Sequence, residues 1–410
     1  SKKELKTYQN QLAGLDQSIS LTKNKIASTR DVKYLPDLYL MLAELLNDKS
    51  QLLFLIKKES NRNILEQELD FSLELRAKQD AIDAYKQIEQ RFPNYPLLDK
   101  VLFIIGSELK ASNNLDAALQ YFKKGFQLFP KTTFGIKSAI EIGNVFFEKK
   151  DFDFALEQYK KASLYAEGND ILLVYNKMAA CYSLKEQWNS SFGFYLKVIK
   201  YKSATPTKIP LEVIQAKEEA LIQSVWPFLE LSPSEVSAVG IAPLAFYKQN
   251  AFDKESYRRT LERLAKRFDF KKKTLDSAQA YLELFRITTD ANQKKLAFEA
   301  FFNFFKDTKQ FVFPEWVSYQ MREMLTLRIS DNSLNNDILQ INKDKMKYEE
   351  AARYIITTRH RQVVEQSRKS DYKGVIGDYN NYLATFPKTN FFYEMAKNKA
   401  EMEYLSEKYI

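Results

Sequence analysis

Two stretches of this chain, "LFIIGSELKASNNLDAALQYFKKGFQLFP" (102–130) and "AIEIGNVFFEKKDFDFALEQYKKASLYAE" (139–167), carry small and bulky residues in the same order, thirty-seven positions apart. Gly106 stands twelve residues before Ala118, and Gly143 twelve before Ala155. Each alanine is followed four residues on by a ring, Phe122 or Tyr159. A third copy, "QDAIDAYKQIEQRFP" (79–93), supplies Ala81, Tyr85, Ile88 and Pro93, and a fourth (175–203) supplies Ala179, Tyr182, Ser191, Tyr195 and Val198. The anchors 81, 118, 155 and 191 are therefore spaced by 37, 37 and 36. A period of this length means one supersecondary unit that grows by stacking on its neighbours rather than by closing a single core.

The spacing predicts two antiparallel helices per unit. Gly106, Gly143 and Ala179 fall on a first helix, and Ala118, Ala155 and Ser191 on a second, where small side chains let helix axes approach. Phe122, Tyr159 and Tyr195, one turn on, fill the groove beside them. The connectors "ASNNLD" and "KKDFD" offer Asn and Asp for turns and N-caps, and Pro93 and Pro130 stop the second helix. Composition agrees, since 10 Gly and 11 Pro in 410 residues are too few for a loop-rich or all-β chain, while 30 Phe and 24 Tyr are ample for a core. The expected fold class is all-α, an α-solenoid of helical hairpins that becomes irregular in the C-terminal half.

Together these positions resemble the tetratricopeptide repeat (TPR), whose units stack into a right-handed superhelix. Gly106, Ala118, Phe122 and Pro130 match its small, Ala, aromatic and Pro positions, although the TPR unit is usually shorter than this one. "RFPNYP" (91–96) between repeats, and "YLPDLYLMLAELLNDKS" (34–50) before them, are similar to TPR proteins of the Gram-negative cell envelope. Those include gliding-motility components, outer-membrane-assembly lipoproteins and Tol–Pal coordinators. The resemblance implies a bacterial, non-enzymatic scaffold in the periplasm or cell envelope, with a cytoplasmic adaptor or co-chaperone as the alternative. Its partner is expected to be a protein or peptide, in an envelope complex other envelope proteins, held in a concave groove. In TPR register the groove positions are Lys100, Phe103, Ser107 and Lys110; Lys137, Ile140, Asn144 and Phe147; and Leu173, Asn176, Ala180 and Ser183. The carboxylate clamp of chaperone-binding TPR domains is not matched, because Ile140 stands where a Lys should precede Asn144.

Four segments are expected. Residues 1–62 hold a heptad helix and capping helices, with Leu5, Tyr8, Leu12, Leu15, Ile19 and Ile26 on one seam that Thr22 interrupts. Docking of that seam along the solenoid is favoured over a dimer seam. Regular repeats occupy 63–202, a Pro-rich junction 203–250, and degenerate repeats 251–410. Within the junction Ser232, Pro233 and Glu235 spell a capped helix start, and Trp226, Phe228, Phe246 and Tyr247 read as core. The prolines predict two superhelical segments meeting at an angle, with a second concave surface at the junction. Further on, "AFDKESYRRTLERLAKRF" (251–268) and "NQKKLAFEAFFNFFKD" (292–307) read as second helices, "SDYKGVIGDYNNYLATFP" (370–387) as a turn and second helix, and the final stretch as a first helix or cap.

Chemistry is not signalled. One Cys and one His exclude a disulfide framework within the chain and a His-based metal cluster. Cys181 lies in an apolar run and reads as a buried thiol, and His360, flanked by Arg359 and Arg361, as a surface residue. No phosphate-binding, dinucleotide, zinc or nucleophile motif occurs, so no catalytic, cofactor or metal residue is expected, and the chain is read as no enzyme. The 62 basic and 53 acidic residues leave a net charge of +9 spread along helices, which does not single out nucleic acid as a partner, and a nucleic-acid-binding helical repeat protein is the remoter alternative. No apolar run reaches membrane-spanning length, so membrane association is expected only through a partner or an anchor preceding Ser1.

Overall fold

The computed structural model describes residues 2–62, 64–65, 69–202, 209–290, 293, 296–297 and 338–407. Most of the Pro-rich run at 202–210 and of the helix read at 292–307 lies outside them. The described residues form helices joined by short turns, and the chain divides into two compact units, Ser1–Ala216 and Lys217–Ile410.

In the first unit, α1 (Lys2–Ser28) lies along α2 (Leu35–Ser60), and α2 pairs with α3 (Ser72–Arg91). Three further hairpins follow: α4 (Leu98–Ala111) with α5 (Leu115–Leu128), α6 (Thr133–Glu148) with α7 (Phe152–Ser163), and α8 (Gly168–Leu184) with α9 (Trp188–Ile199). Asn114 and Asp151 cap α5 and α7, accepting from the amides of Ala117 (3.4 Å) and Phe154 (3.1 Å). The long α2 is itself a first helix, so the first hairpin reaches back into the segment expected as a cap. The α1 seam docks inward: Ile19 and Thr22 are buried, and Ile19 and Ile26 join the cluster of Leu42, Leu46, Tyr85 and Ile105. Thr22 fits that seam by donating to the Ser18 carbonyl (2.8 Å) within its own helix.

Each hairpin closes on the small–large pair that the repeat spelled. Ala118, Ala155, Phe122 and Tyr159 are fully buried, and a Cβ placed on Gly143 would stand 2.5 Å from Cε1 of Tyr159. In the fourth hairpin Ser191 replaces alanine, and its hydroxyl donates to the Ala179 carbonyl (2.9 Å), so the polar group is satisfied where the helices touch. The turns of the α4–α5, α6–α7 and α8–α9 hairpins share one backbone solution. Asn113, Lys150 and Glu186 adopt positive φ (59°, 62° and 57°), letting two successive amides return to carbonyls of the last helical turn.

The second unit begins inside α10 (Leu211–Gln223) and continues through α11 (Val225–Glu230), α12 (Pro233–Val239) and α13 (Pro243–Asn250). Ser232 and Glu235 form the capping box that opens α12, and Gly240 closes it at φ 74°. Phe228, Phe246 and Tyr247 are buried against one another, but Trp226 is 45% exposed and is not core. The Arg267 guanidinium stacks on its ring (3.7 Å), because a cation satisfied by Glu230 can cover an aromatic face left at the surface.

One reading is overturned. Helix α14 (Lys254–Phe270) was expected as a second helix, yet it pairs forward with α15 (Thr274–Ile287) as a first helix. Ala265 takes the small position, Ser277 the facing one twelve residues on, and Tyr281 the ring position; the turn again carries a residue at positive φ, Lys272 at 54°. Beyond it, α16 (Ile338–Glu365) pairs with α17 (Tyr372–Thr385), and α18 (Phe392–Glu407) packs on α17. His360 is half-buried rather than on the surface. It stands seven residues before Ser367 (φ 51°), the place that Gly106, Gly143, Ala179 and Ala265 hold before their own turns. A 3-10 turn at Lys369–Asp371 lengthens this connector, and the imidazole Nδ1 meets the Tyr379 hydroxyl at 2.8 Å.

Candidate functional site

The first helices of the first unit form a row. Helix α4 touches α6 and α6 touches α8, whereas the second helices make no comparable contact with one another, so this stack curves with its first helices on the inner side. Lys100 of α4 pairs with Glu44 of α2 (3.1 Å), Lys110 with Glu141 of α6 (2.9 Å), and Asn176 of α8 donates to the Ala216 carbonyl of α10 (3.1 Å).

Along this row the twelve residues read from the sequence part company. Lys110 is held between Glu141 and Glu148; burial would lower its pKa, but the two carboxylates outweigh burial and raise it. Phe103 packs its ring on Phe122 and Phe134, and Phe147 lies edge-on to Phe152 with the Lys177 ammonium over its face. Lys137 sits over the ring of Phe134. Ser107 spends its hydroxyl on the Phe103 carbonyl, and Ser183 meets the hydroxyl of Ser191. Ile140 is 3% exposed and belongs to the core cluster that α6 shares with α7 and α8, so it is not a groove position. Asn144 is half-buried: it accepts from the Tyr159 hydroxyl (2.8 Å) and donates to Glu141 (2.9 Å). Ala180 is half-buried and Leu173 is 42% exposed, so the most open apolar part of the row lies on α8.

The lysines here are therefore largely matched by carboxylates or rings of the same row. A free carboxyl terminus would have to displace Glu44 from Lys100, or Glu141 and Glu148 from Lys110.

Elsewhere, burial pushes the Cys181 thiol up to about 12, with only partial offset from Lys177 and Lys185, which leaves no useful thiolate near neutral pH. Among the described residues no group of three or more His, Cys, Asp or Glu side chains converges as a metal site would require. The surface signal that sequence reading missed is the trio Trp226, Arg267 and Phe270. Arg267 lies between the two rings, at 3.7 and 4.6 Å from their centroids. Its trace in the sequence is the basic run "KRFDFKKK" at 266–273, where Arg267 and Phe270 stand.

The geometry defines an all-α solenoid of TPR-like hairpins. No protein-family model and no curated protein matches the chain. Among solved structures, the apo form of RapI is 12% identical at a TM-score of 0.36, covering 100% of this chain and 98% of that one. A circular tandem repeat protein with a novel repeat topology is 11% identical at 0.29, over 99% and 91%. The structure of Naa15/Naa10 bound to HypK-THB is 11% identical at 0.32, over 96% of this chain and 61% of that one. At such values the likeness carries no argument about this chain, and the fold assignment stands on the helices and turns described above.

Proposed function

We propose that the chain is a non-enzymatic scaffold that holds a protein or peptide against the first-helix row of its first unit. The observation that carries the reading is that row itself: α4, α6 and α8 lie side by side, Lys100 ties α4 to Glu44 of α2, and Leu173, Ala180, Phe103 and Phe147 are the apolar positions of the row. A long, fixed, mixed polar–apolar surface suits an extended segment or a helix better than a small molecule. The similarity of "RFPNYP" and "YLPDLYLMLAELLNDKS" to TPR proteins of the Gram-negative envelope supports partners in a bacterial envelope complex. The setting so proposed is periplasmic. No helix among the described residues is long and apolar enough to cross a membrane.

A photo-crosslinking residue at Leu173, used in the source cells, tests the reading. Envelope proteins are expected to be recovered from that position and not from Leu128, which is more exposed but lies on a second helix. Recovery of cytoplasmic chaperones from Leu173 would replace the envelope reading by the co-chaperone one. Equal capture from both positions would remove the row as the binding face.

A further inference from the structure

A cleft of about 590 Å³ opens at the edge of the first unit, between the α1–α2 turn and the 91–97 loop that joins α3 to α4. None of the twelve groove positions lines it, and its size is in the range of ligand sites. Its walls are apolar: Pro36, Phe92, Pro93 and Pro96 line it, and Val32 and Leu97 stay exposed at its mouth. Such walls with few donors suit an aliphatic or proline side chain.

Its charge is not balanced. The one acid on the wall, Asp37, accepts the Tyr95 hydroxyl at 2.7 Å, which fixes the 91–97 loop to α2 and occupies part of that carboxylate. Lys33 and Arg91 form no ion pair among the described residues. Arg91 is nevertheless held in place: it donates to the Tyr39 hydroxyl (2.8 Å) and stacks on the rings of Tyr39 and Phe92 (5.5 and 5.4 Å). A guanidinium fixed by rings but lacking a carboxylate is already ordered for a bidentate acidic partner, so little side-chain freedom remains to be lost on binding.

The second unit supplies the contrast. Residues 385–391 repeat the Phe-Pro step of 91–97 and border a cleft of about 810 Å³, but there Glu349 and Glu350 face Arg353 and Lys388, and Arg353 is paired with Glu349 (3.0 Å). The same loop thus borders a charge-matched cleft in one unit and a cationic one in the other.

We infer that the cleft between the α1–α2 turn and the 91–97 loop is a docking site for an acidic peptide segment, with carboxylates on Lys33 and Arg91 and an apolar or proline residue between Pro93, Pro96 and Leu97.

The test uses the full chain and a fluorescein-labelled peptide EEPLPLEE, with QQPLPLQQ as its neutral twin, followed by fluorescence anisotropy. The acidic peptide is expected to bind saturably and about tenfold or more tighter than the twin, and to weaken as salt rises from about 50 to 300 mM. Lys33→Gln combined with Arg91→Gln should remove most of that affinity, while Lys388→Gln in the second cleft should not change it. Should Arg91→Gln lower the melting temperature, Lys33→Glu at its exposed position carries the test alone. Equal binding of both peptides, binding indifferent to the Lys33 and Arg91 variants, or no saturation by about 1 mM peptide would each overturn the site. So would an oligodeoxythymidylate that binds through Lys33 and Arg91 when the acidic peptide does not.

Discussion

Gly143 and Asn144 are neighbours on α6 that act on the same ring. Gly143 leaves room for Tyr159, whose Cε1 would meet an added Cβ at 2.5 Å, and Asn144 accepts that ring's hydroxyl at 2.8 Å. Gly143→Leu is expected to cost about 1–3 kcal/mol or more, because a fully buried ring must shift. Asn144→Ala does more than trim an exposed amide. It strands the Tyr159 hydroxyl, at about 1–3 kcal/mol, and Tyr159→Phe in the same chain should recover part of that loss. Urea midpoints of the single and double variants measure both, and strictly additive losses would refute the coupling. The turns give a second residue-scale prediction. Lys150, Glu186 and Lys272 hold positive φ with a Cβ that crowds the following carbonyl. Replacing Lys150 or Glu186 by Gly should raise stability by about 0.5–1 kcal/mol, and Asn113→Gly by less, since Asn tolerates this conformation better. A loss of stability in all three would show that contacts of the side chains outweigh backbone strain.

At the scale of elements, α1 tests whether a heptad seam is consumed within the chain. Ile19 is buried against Leu42 and Leu46, whereas Leu21, two residues on, is 55% exposed. Ile19→Ala should cost about 2–4 kcal/mol, and Leu21→Ala less than about 0.5 kcal/mol; chemical denaturation distinguishes them, and equal effects would mean that α1 does not dock in solution. The hairpin of α14 and α15 shows how an element can be legible and still be misread. Ala265 and Ser277 keep the twelve-residue spacing of Ala179 and Ser191, so the signal was present. The aromatic and basic residues of 251–268 fit either helix of a hairpin. Only the pairing of α14 with the chain that follows, rather than with what precedes it, decides which one it is.

For the whole molecule, the single histidine lies in the second unit and gives that unit a pH dependence of its own. Burial lowers the pKa of His360 below its ordinary 6.5, only partly offset by Glu401 of α18. Its Nδ1 meets the Tyr379 hydroxyl of α17, and the guanidinium of the adjacent Arg359 is engaged by Asp378 of the same helix. A depressed folded-state pKa means that the fold favours the neutral ring. The contribution is therefore whole above the unfolded value of about 6.5 and is lost as pH falls through the folded one. Between pH 7.5 and 5.5 the melting temperature of the second unit should fall in the parent chain and fall less in His360→Gln; identical pH profiles would exclude His360 as the cause.

The repeat, the helical class, the caps at Asn114 and Asp151, the capping box at Ser232 and the inward seam of α1 were all legible in the residues. Each depends on spacing along one or two adjacent helices, and local sterics and hydrogen bonding act at that range. The sequence could not tell that Ile140 turns into the core, that Asn144 is bound by Tyr159, that the groove lysines meet Glu44, Glu141 and Glu148, or that Trp226 is left outside under Arg267. Those outcomes depend on which faces of separate helices meet and at what angle. The cationic cleft at 91–97 has the same origin: its Phe-Pro step recurs at 385–391, and only packing against the α1–α2 turn brings Lys33 and Arg91 to one cleft whose single acid, Asp37, is engaged by Tyr95.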